Sequence, residues 1–276
     1  MKEDFDVIKV THWNCPAETG VPLLTMPNIP LPLHGLPPRV LMGNATWNHV
    51  RKKCYHDAGY KCEICGADFA EIKPRYAAHE LYSYNYEEHE GVFERCIAIC
   101  AKCHDFIHSG RLITMYANQN PMYPKGYLLE IVEKGFSLVH NYNEEHPEAP
   151  LRVYATFIDY LDHPTLHDEM LELIEKYDIK FYDDKTPRKK VWEDWHLIWG
   201  GRRYNTPYKS QSDWAEAMAE RNKKDSTVGL KDPFSGGVFD DIAAIVEKEE
   251  QENIVTQIPG CKSGRISKRK SSKKEN

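Results

Sequence analysis

Two Cys-x-x-Cys pairs, in CEICG at residues 62–66 and CAKCHDFIH at 100–108, carry the strongest chemical signal in the sequence. Each such pair can grip an ion from a single turn, and two pairs supply the four thiolates that fill a tetrahedral zinc ion. Gly66, directly after the second Cys, lets the backbone turn beneath the metal. Cys62, Cys65, Cys100 and Cys103 are therefore the expected zinc ligands. Reading them as buried small side chains or as a redox pair explains the double spacing less well. Four protein ligands leave no open coordination position, so this zinc is expected to be structural, and chemistry has to come from other residues. Cys15, Cys54, Cys96 and Cys261 lack pair spacing and read as ordinary thiols.

His79, His104 and His108 are the next candidates. His104 and His108 are four apart in a segment that reads as a short helix, so they share a face. His79 falls in a strand-like segment, and a metal-pinned hairpin and helix would turn it toward the other two. Such a layout suits phosphodiester hydrolysis. A neutral imidazole with a pKa near 6.5 takes a proton from water, while a divalent ion held by the other side chains neutralises the scissile phosphate and the leaving oxygen. A single His is more often a hydrogen-bonded structural residue; three beside a Cys-x-x-Cys helix reverse that preference.

The elements that must position these residues can be read from pattern. RYAAHELYSYNY and FERCIAIC are rich in aromatic and β-branched residues and read as two strands joined by the polar NYEEHEG, which makes a hairpin. AKCHDFIHSG reads as a short helix stopped by Gly110. Upstream, NATWNHVRKKCYHDAG places Trp47, Val50, Cys54, Tyr55 and Ala58 on one helical face, with Asn44 as N-cap and Gly59 as stop. Residues 16–38 carry seven prolines and are expected to be extended, without a helix. Beyond Arg111 the chain reads as irregular to about Pro124. The segments GYLLEIVEKGFSLVHNY and VYATFIDYLDHPTLHDEMLELIEKY then read as helical, VWEDWHLIWGGRRYNT as two short strands around a Gly-Gly turn, and SQSDWAEAMAERNKK as a capped helix.

The 276 residues are 41% hydrophobic and 11% aromatic, enough to bury a core. The acidic start MKEDFDVIK is unlike a secretory signal. The longest stretch free of charged side chains, Thr19 to Pro38, contains six prolines, so neither secretion nor a membrane span is expected. Eight cysteines in such a chain read as thiols or metal ligands. The net charge of −6 is uneven: the tail from Lys262 holds seven basic residues and one acidic, a net +6 that leaves −12 for residues 1–261. Such a tail is usually solvated and can also help hold a polyanion. Arg51, Lys52, Lys53, Lys61, Lys73 and Arg75 around the first cysteines, with Arg111 after the finger helix, are candidates to follow phosphates, although Asp57, Glu63, Asp68 and Glu71 are interspersed.

The run RKKCYHDAGYKCEICGA, then AHELYSY, then IAICAKCHDFIHSGR resembles the HNH (ββα-metal, His-Me finger) endonucleases whose finger is braced by a four-cysteine zinc. The resemblance covers residues 47–111. It implies an α+β fold in which a zinc-braced ββα-metal, treble-clef-like finger carries a mainly helical C-terminal region. The expected divisions are an extended Pro-rich arm at 1–43, the finger at 44–111, a mainly helical region with a short hairpin at 112–224, and a mobile tail with a basic end at 225–276. By position, His79 corresponds to the general base, and His104 and His108 correspond to ligands of a catalytic divalent ion such as Mg2+, Mn2+ or Ni2+. Two departures stand out: Ala78 occupies a place often taken by a metal-binding Asp or His, and Arg95 falls near the family's central Asn. Glu80 could complete the catalytic set only if the strand ends or bulges there, because successive strand residues face opposite ways. Glu87, Glu88 and His89 in the connection are further candidates. The implied activity is metal-dependent cleavage of nucleic acid, DNA more than RNA, in a bacterial or phage-infected cytoplasm, with Arg51, Lys52, Lys53 and Arg111 as phosphate contacts. The competing expectation is a catalytically inactive zinc module that binds nucleic acid or a protein partner.

Overall fold

The computed structural model describes residues 5–72, 76–183 and 192–227. In chain order its elements are β1 (Val7–Lys9), β2 (His12–Trp13), α1 (Pro38–Asp57), β3 (Tyr76–Asn85), β4 (Glu90–Cys100), α2 (Ala101–Ile107), α3 (Ser109–Ala117), α4 (Lys125–Glu145), β5 (Val153–Tyr154), α5 (His167–Lys176), β6 (Phe181–Asp183), β7 (His196–Trp199), β8 (Arg202–Asn205) and α6 (Gln211–Thr227). The architecture is mixed α+β. A five-stranded sheet runs in the order β2-β3-β4-β7-β8, and a small parallel sheet runs β1-β6-β5.

The central hairpin follows from its composition. β3 and β4 pair antiparallel, with Tyr76 opposite Cys100 and His79 opposite Ile97. The turn at their far end is held by Asn85, whose Oδ1 accepts the backbone N–H groups of Glu87 and Glu88. β7 joins β4 in parallel near this end, Glu90 opposite His196. The expected Gly-Gly turn appears between β7 and β8, with Gly200 and Gly201 at φ of 56° and 74°, the left-handed region that a two-residue hairpin needs. The capped helix also appears: Ser210 Oγ accepts the Asp213 N–H, and the Asp213 carboxylate reaches back past the cap to accept the Lys209 N–H.

Several expectations are corrected. The proline-rich arm contains two 3-10 helices, Val21–Thr25 and Leu31–Gly35, each with Pro in its first turn, where a missing N–H costs nothing. α1 begins at Pro38, six residues before the expected cap. It bends at Gly43 (φ 80°, ψ 161°), so the expected helix is its second limb, which buries Val50, Cys54 and Tyr55. Gly110 stops nothing, because the chain continues as α3 to Ala117. The segment VYATFIDYLD is not α-helical. It forms β5 and the 3-10 helix Ala155–Asp162, because Tyr154, Phe157 and Tyr160 are drawn into the core.

That core positions the second Cys-x-x-Cys helix. Phe106 of α2 meets Phe136 of α4 at 6.0 Å between ring centres and Phe157 at 4.7 Å. Gly135 makes the approach feasible, since a Cβ there would lie 2.1 Å from the Phe106 ring. The carbonyls at the C-terminal end of α2 lack helical partners. The Tyr154 hydroxyl donates to those of Phe106 and Ile107, and the Tyr160 hydroxyl to that of Ser109 at 2.7 Å. These bonds let the backbone bend at His108 (φ −89°, ψ 46°) without leaving buried carbonyls unpaired.

Candidate metal centre

The first Cys pair is shaped by a tight turn after α1. Gly66 N–H returns to the Cys62 carbonyl at 2.8 Å with Gly66 at φ 72°, and Lys61 bridges Asp68 across the turn. Glu63 fastens the turn to β4 in both directions: its N–H reaches the Ala98 carbonyl at 2.9 Å, and its carboxylate accepts the Ala98 N–H at 2.6 Å. Cys100, two residues on, ends β4, and Cys103 lies in the first turn of α2. The four Sγ atoms all lie within 4.8 Å of one another, with Cys65 and Cys100 3.8 Å apart. Zinc–sulfur bonds of about 2.3 Å at tetrahedral angles put sulfurs about 3.8 Å apart, so the quartet is compatible with a structural zinc. Hydrogen bonding with Cys100 pulls the Cys62 thiol down to about 6 and also lowers Cys65, while Cys103 is pushed up by the same crowding. Thiols this close cannot all ionise without a cation. Lys134 of α4 donates to Cys65 Sγ at 3.4 Å, and although burial opposes its charge, the neighbouring sulfurs raise its pKa.

Because α2 leaves the end of β4 and folds back over the hairpin, His104 and His108 meet His79. Ring centres are 5.3 Å apart for His79 and His104, 4.9 Å for His79 and His108, and 4.5 Å for His104 and His108. One ligand nitrogen from each falls within 4.8 Å of the others. His79 is buried, and the other two are half-buried. Burial, then the neighbouring imidazoles, hold His79 and His104 well below the ordinary histidine range. His108 is lowered to about 4 by burial, then by Arg111 and His34. His79 Nδ1 is buried without a hydrogen-bond partner among the described residues. A lone pair or N–H buried in this way is costly unless a ligand answers it. Two further neutral nitrogens, on His104 and His108, could hold a divalent cation of the Mn, Ni or Zn type beside it.

The structure separates the remaining candidates. No Asp or Glu oxygen joins the three imidazoles among the described residues. The register shift in the hairpin lies between Leu81 and Tyr82 rather than at Glu80, so Glu80 keeps to the face opposite His79. There burial raises its pKa and Arg39 opposes the rise, beside Tyr82 and Tyr84. Glu87, Glu88 and His89 sit at the hairpin turn, about 20 Å from His79 at strand spacing, with His89 packed edge-on to Trp195. Arg95 serves elsewhere, since its guanidinium donates to the carbonyls of Pro16 and Glu18 and so holds the N-terminal arm.

Among the basic candidates, Arg51 is bonded to Asn48 and Lys53 to Asp57, both on α1 near Lys52. Arg111 is the one of the four whose charge reaches His104 and His108. Lys73, Arg75 and the tail from residue 228, with its basic end, lie outside the described residues. Sequence reading missed Lys134 and Asp105. Asp105 is a buried carboxylate between the two helix histidines, and its position as the only acid in the finger helix was the available signal. Among the described residues no helix is long and apolar enough to cross a membrane. Comparison of the chain with protein-family models, curated proteins and solved structures found no match in any of the three.

Proposed function

We propose that the chain is a metal-dependent endonuclease of the HNH, ββα-metal type, hydrolysing phosphodiester bonds of nucleic acid, DNA before RNA. In this reading Cys62, Cys65, Cys100 and Cys103 hold the structural zinc of a treble-clef-like finger, and His104 and His108 bind a catalytic divalent ion. The observation that carries the reading is the convergence of three buried or half-buried neutral imidazoles on a strand-and-helix unit whose ends are drawn together by four thiols. When bound, the divalent ion would supply charge neutralisation at the scissile phosphate and at the leaving oxygen. His79, held neutral by burial, accepts the proton of the attacking water as the new P–O bond forms and the P–O bond to the leaving sugar oxygen breaks. His104 and His108, the less buried of the three, mark the side from which the phosphate arrives.

The absence of a carboxylate beside the imidazoles, among the described residues, favours a second reading, a zinc module that binds nucleic acid or a protein partner without cleaving. Plasmid incubation with Mg2+, Mn2+ or Ni2+ separates the two. The nuclease reading expects divalent-dependent nicking that His79→Ala lowers by about 10²-fold or more, in the usual range for losing a general base, with zinc content and circular dichroism unchanged. No cleavage by folded wild-type protein with any of the three ions would leave the binding module standing.

A further inference from the structure

His104, His108 and Arg111 follow one another at i, i+4 and i+7. His108 N–H bonds to the His104 carbonyl (3.0 Å) and Leu112 N–H to the His108 carbonyl (2.9 Å), so α2 and α3 meet end to end at the bend, and the ion pair from Arg111 in the first turn of α3 to Asp105 draws the guanidinium back against α2. The guanidinium is held from behind. Asp105, with its side chain 8% exposed, accepts Arg111 Nη1–H at 3.1 Å on one oxygen and the Tyr127 hydroxyl at 2.8 Å on the other. The Tyr123 ring lies 5.5 Å from the Arg111 Cζ and packs edge-on to Tyr127. Arg111 itself is 41% exposed, and Asp105 is its only hydrogen-bond acceptor among the described residues. Most of its five donors are therefore not engaged by an acceptor among the described residues.

A fixed positive charge beside three imidazoles works against binding a cation there unless an anion sits between them. Guanidinium forks match phosphate oxygens. Resting on the nuclease reading above, we propose that Asp105, backed by Tyr127 and Tyr123, is a positioning residue that aims Arg111 at the phosphate undergoing reaction beside His104 and His108. Arg111 is then the group that selects a phosphodiester at this site, distinct from the α1 side chains Arg51 and Lys53, which already bond to Asn48 and Asp57.

The test uses the full-length zinc protein with Mn2+, a duplex oligonucleotide in single-turnover cleavage, and inorganic phosphate followed by 31P line broadening. Arg111→Ala is expected to lower the cleavage rate at saturating protein by roughly 10²- to 10³-fold, as for loss of a donor to developing charge, while duplex affinity, which is shared among many backbone contacts, falls far less than the rate. Millimolar guanidinium should restore part of that rate. Arg111→Lys, which keeps the charge and loses the fork, should stay impaired about tenfold or more. Asp105→Asn should lose roughly 10- to 100-fold, the range for an orienting partner. If Asp105→Asn does not fold, Tyr127→Phe reads the same effect: a lowered saturating rate supports the positioning role and an unchanged rate overturns it. Cleavage by Arg111→Ala at the wild-type saturating rate overturns the proposal and leaves the nuclease reading intact. Phosphate broadening by wild type that Arg111→Ala abolishes, without cleavage by either, upholds the phosphate grip and removes the nuclease reading. A wild type that neither cleaves nor broadens phosphate removes both.

Discussion

At the scale of single residues, the histidines and cysteines make opposite demands on protons. His79, His104 and His108 are held neutral, His108 with a pKa of about 4 against an ordinary 6.5. Between those values the unfolded chain binds the proton that the folded chain refuses, so stability rises with pH across this window. This contribution is complete above pH 6.5 and is lost as pH falls toward 4. Urea midpoints measured from about pH 7 to about pH 4.5 should therefore decline, and the decline should be shallower in His108→Gln. The thiol quartet needs a cation to ionise. Cys103→Ser should reduce zinc measured by plasma mass spectrometry from one equivalent to near none. Because metal binding of this kind is folding free energy, the variant should also lose its cooperative melt. Retention of both would show that the quartet is not a zinc site.

At the scale of elements, the site depends on how α2 is seated. Its position is set by the close pass of Phe106 over Gly135 and by the tyrosine hydroxyls that take up the carbonyls of its last turn. Gly135→Ala forces a methyl into the Phe106 ring and should cost about 1–3 kcal/mol, the usual range for overpacking a filled core. Tyr154→Phe leaves two buried carbonyls without their donor and should cost about 1–3 kcal/mol. Both are read by denaturant melts. If α2 seats the histidines as described, Gly135→Ala should also impair any divalent-dependent activity, although residue 135 touches none of the three rings. The hairpin was legible in advance, because period-two aromatic and branched residues and the polar turn signal are local. The 3-10 segment at Ala155–Asp162 was not, since its Tyr and Phe residues imitate a helical stripe and only the core decides which of them turn inward.

At the scale of the whole molecule, the N-terminal arm is a structural member. β1 pairs with β6 and β2 with β3, Leu23 and Leu24 are essentially unexposed, and the Tyr182 hydroxyl donates to the Thr25 carbonyl. Arg95 grips the stretch between these points at Pro16 and Glu18. Leu23→Ala should therefore cost about 2–5 kcal/mol in urea unfolding, as for other large-to-small core changes. Val40→Ala, at a side chain 63% exposed, should stay within about 0.5 kcal/mol. Equal effects from the two would mean that the arm is not packed as described. The arm also packs against α6, where His34 accepts the indole N–H of Trp214 at 3.2 Å.

The amino-acid sequence alone determined which atoms are available for chemistry and how neighbours along the chain are spaced: two Cys-x-x-Cys grips, a His pair on one helical face, a hairpin and a glycine turn. Those follow from contacts within a few residues, where backbone geometry leaves few choices. Tertiary structure decided which distant groups meet. It set Glu80 on the face away from His79, put Arg95 to work on the arm, and brought Lys134 to Cys65 and Asp105 to Arg111 and Tyr127. Each of those outcomes turns on how whole elements pack and on which polar groups the packing leaves to be satisfied, and no local pattern encodes that.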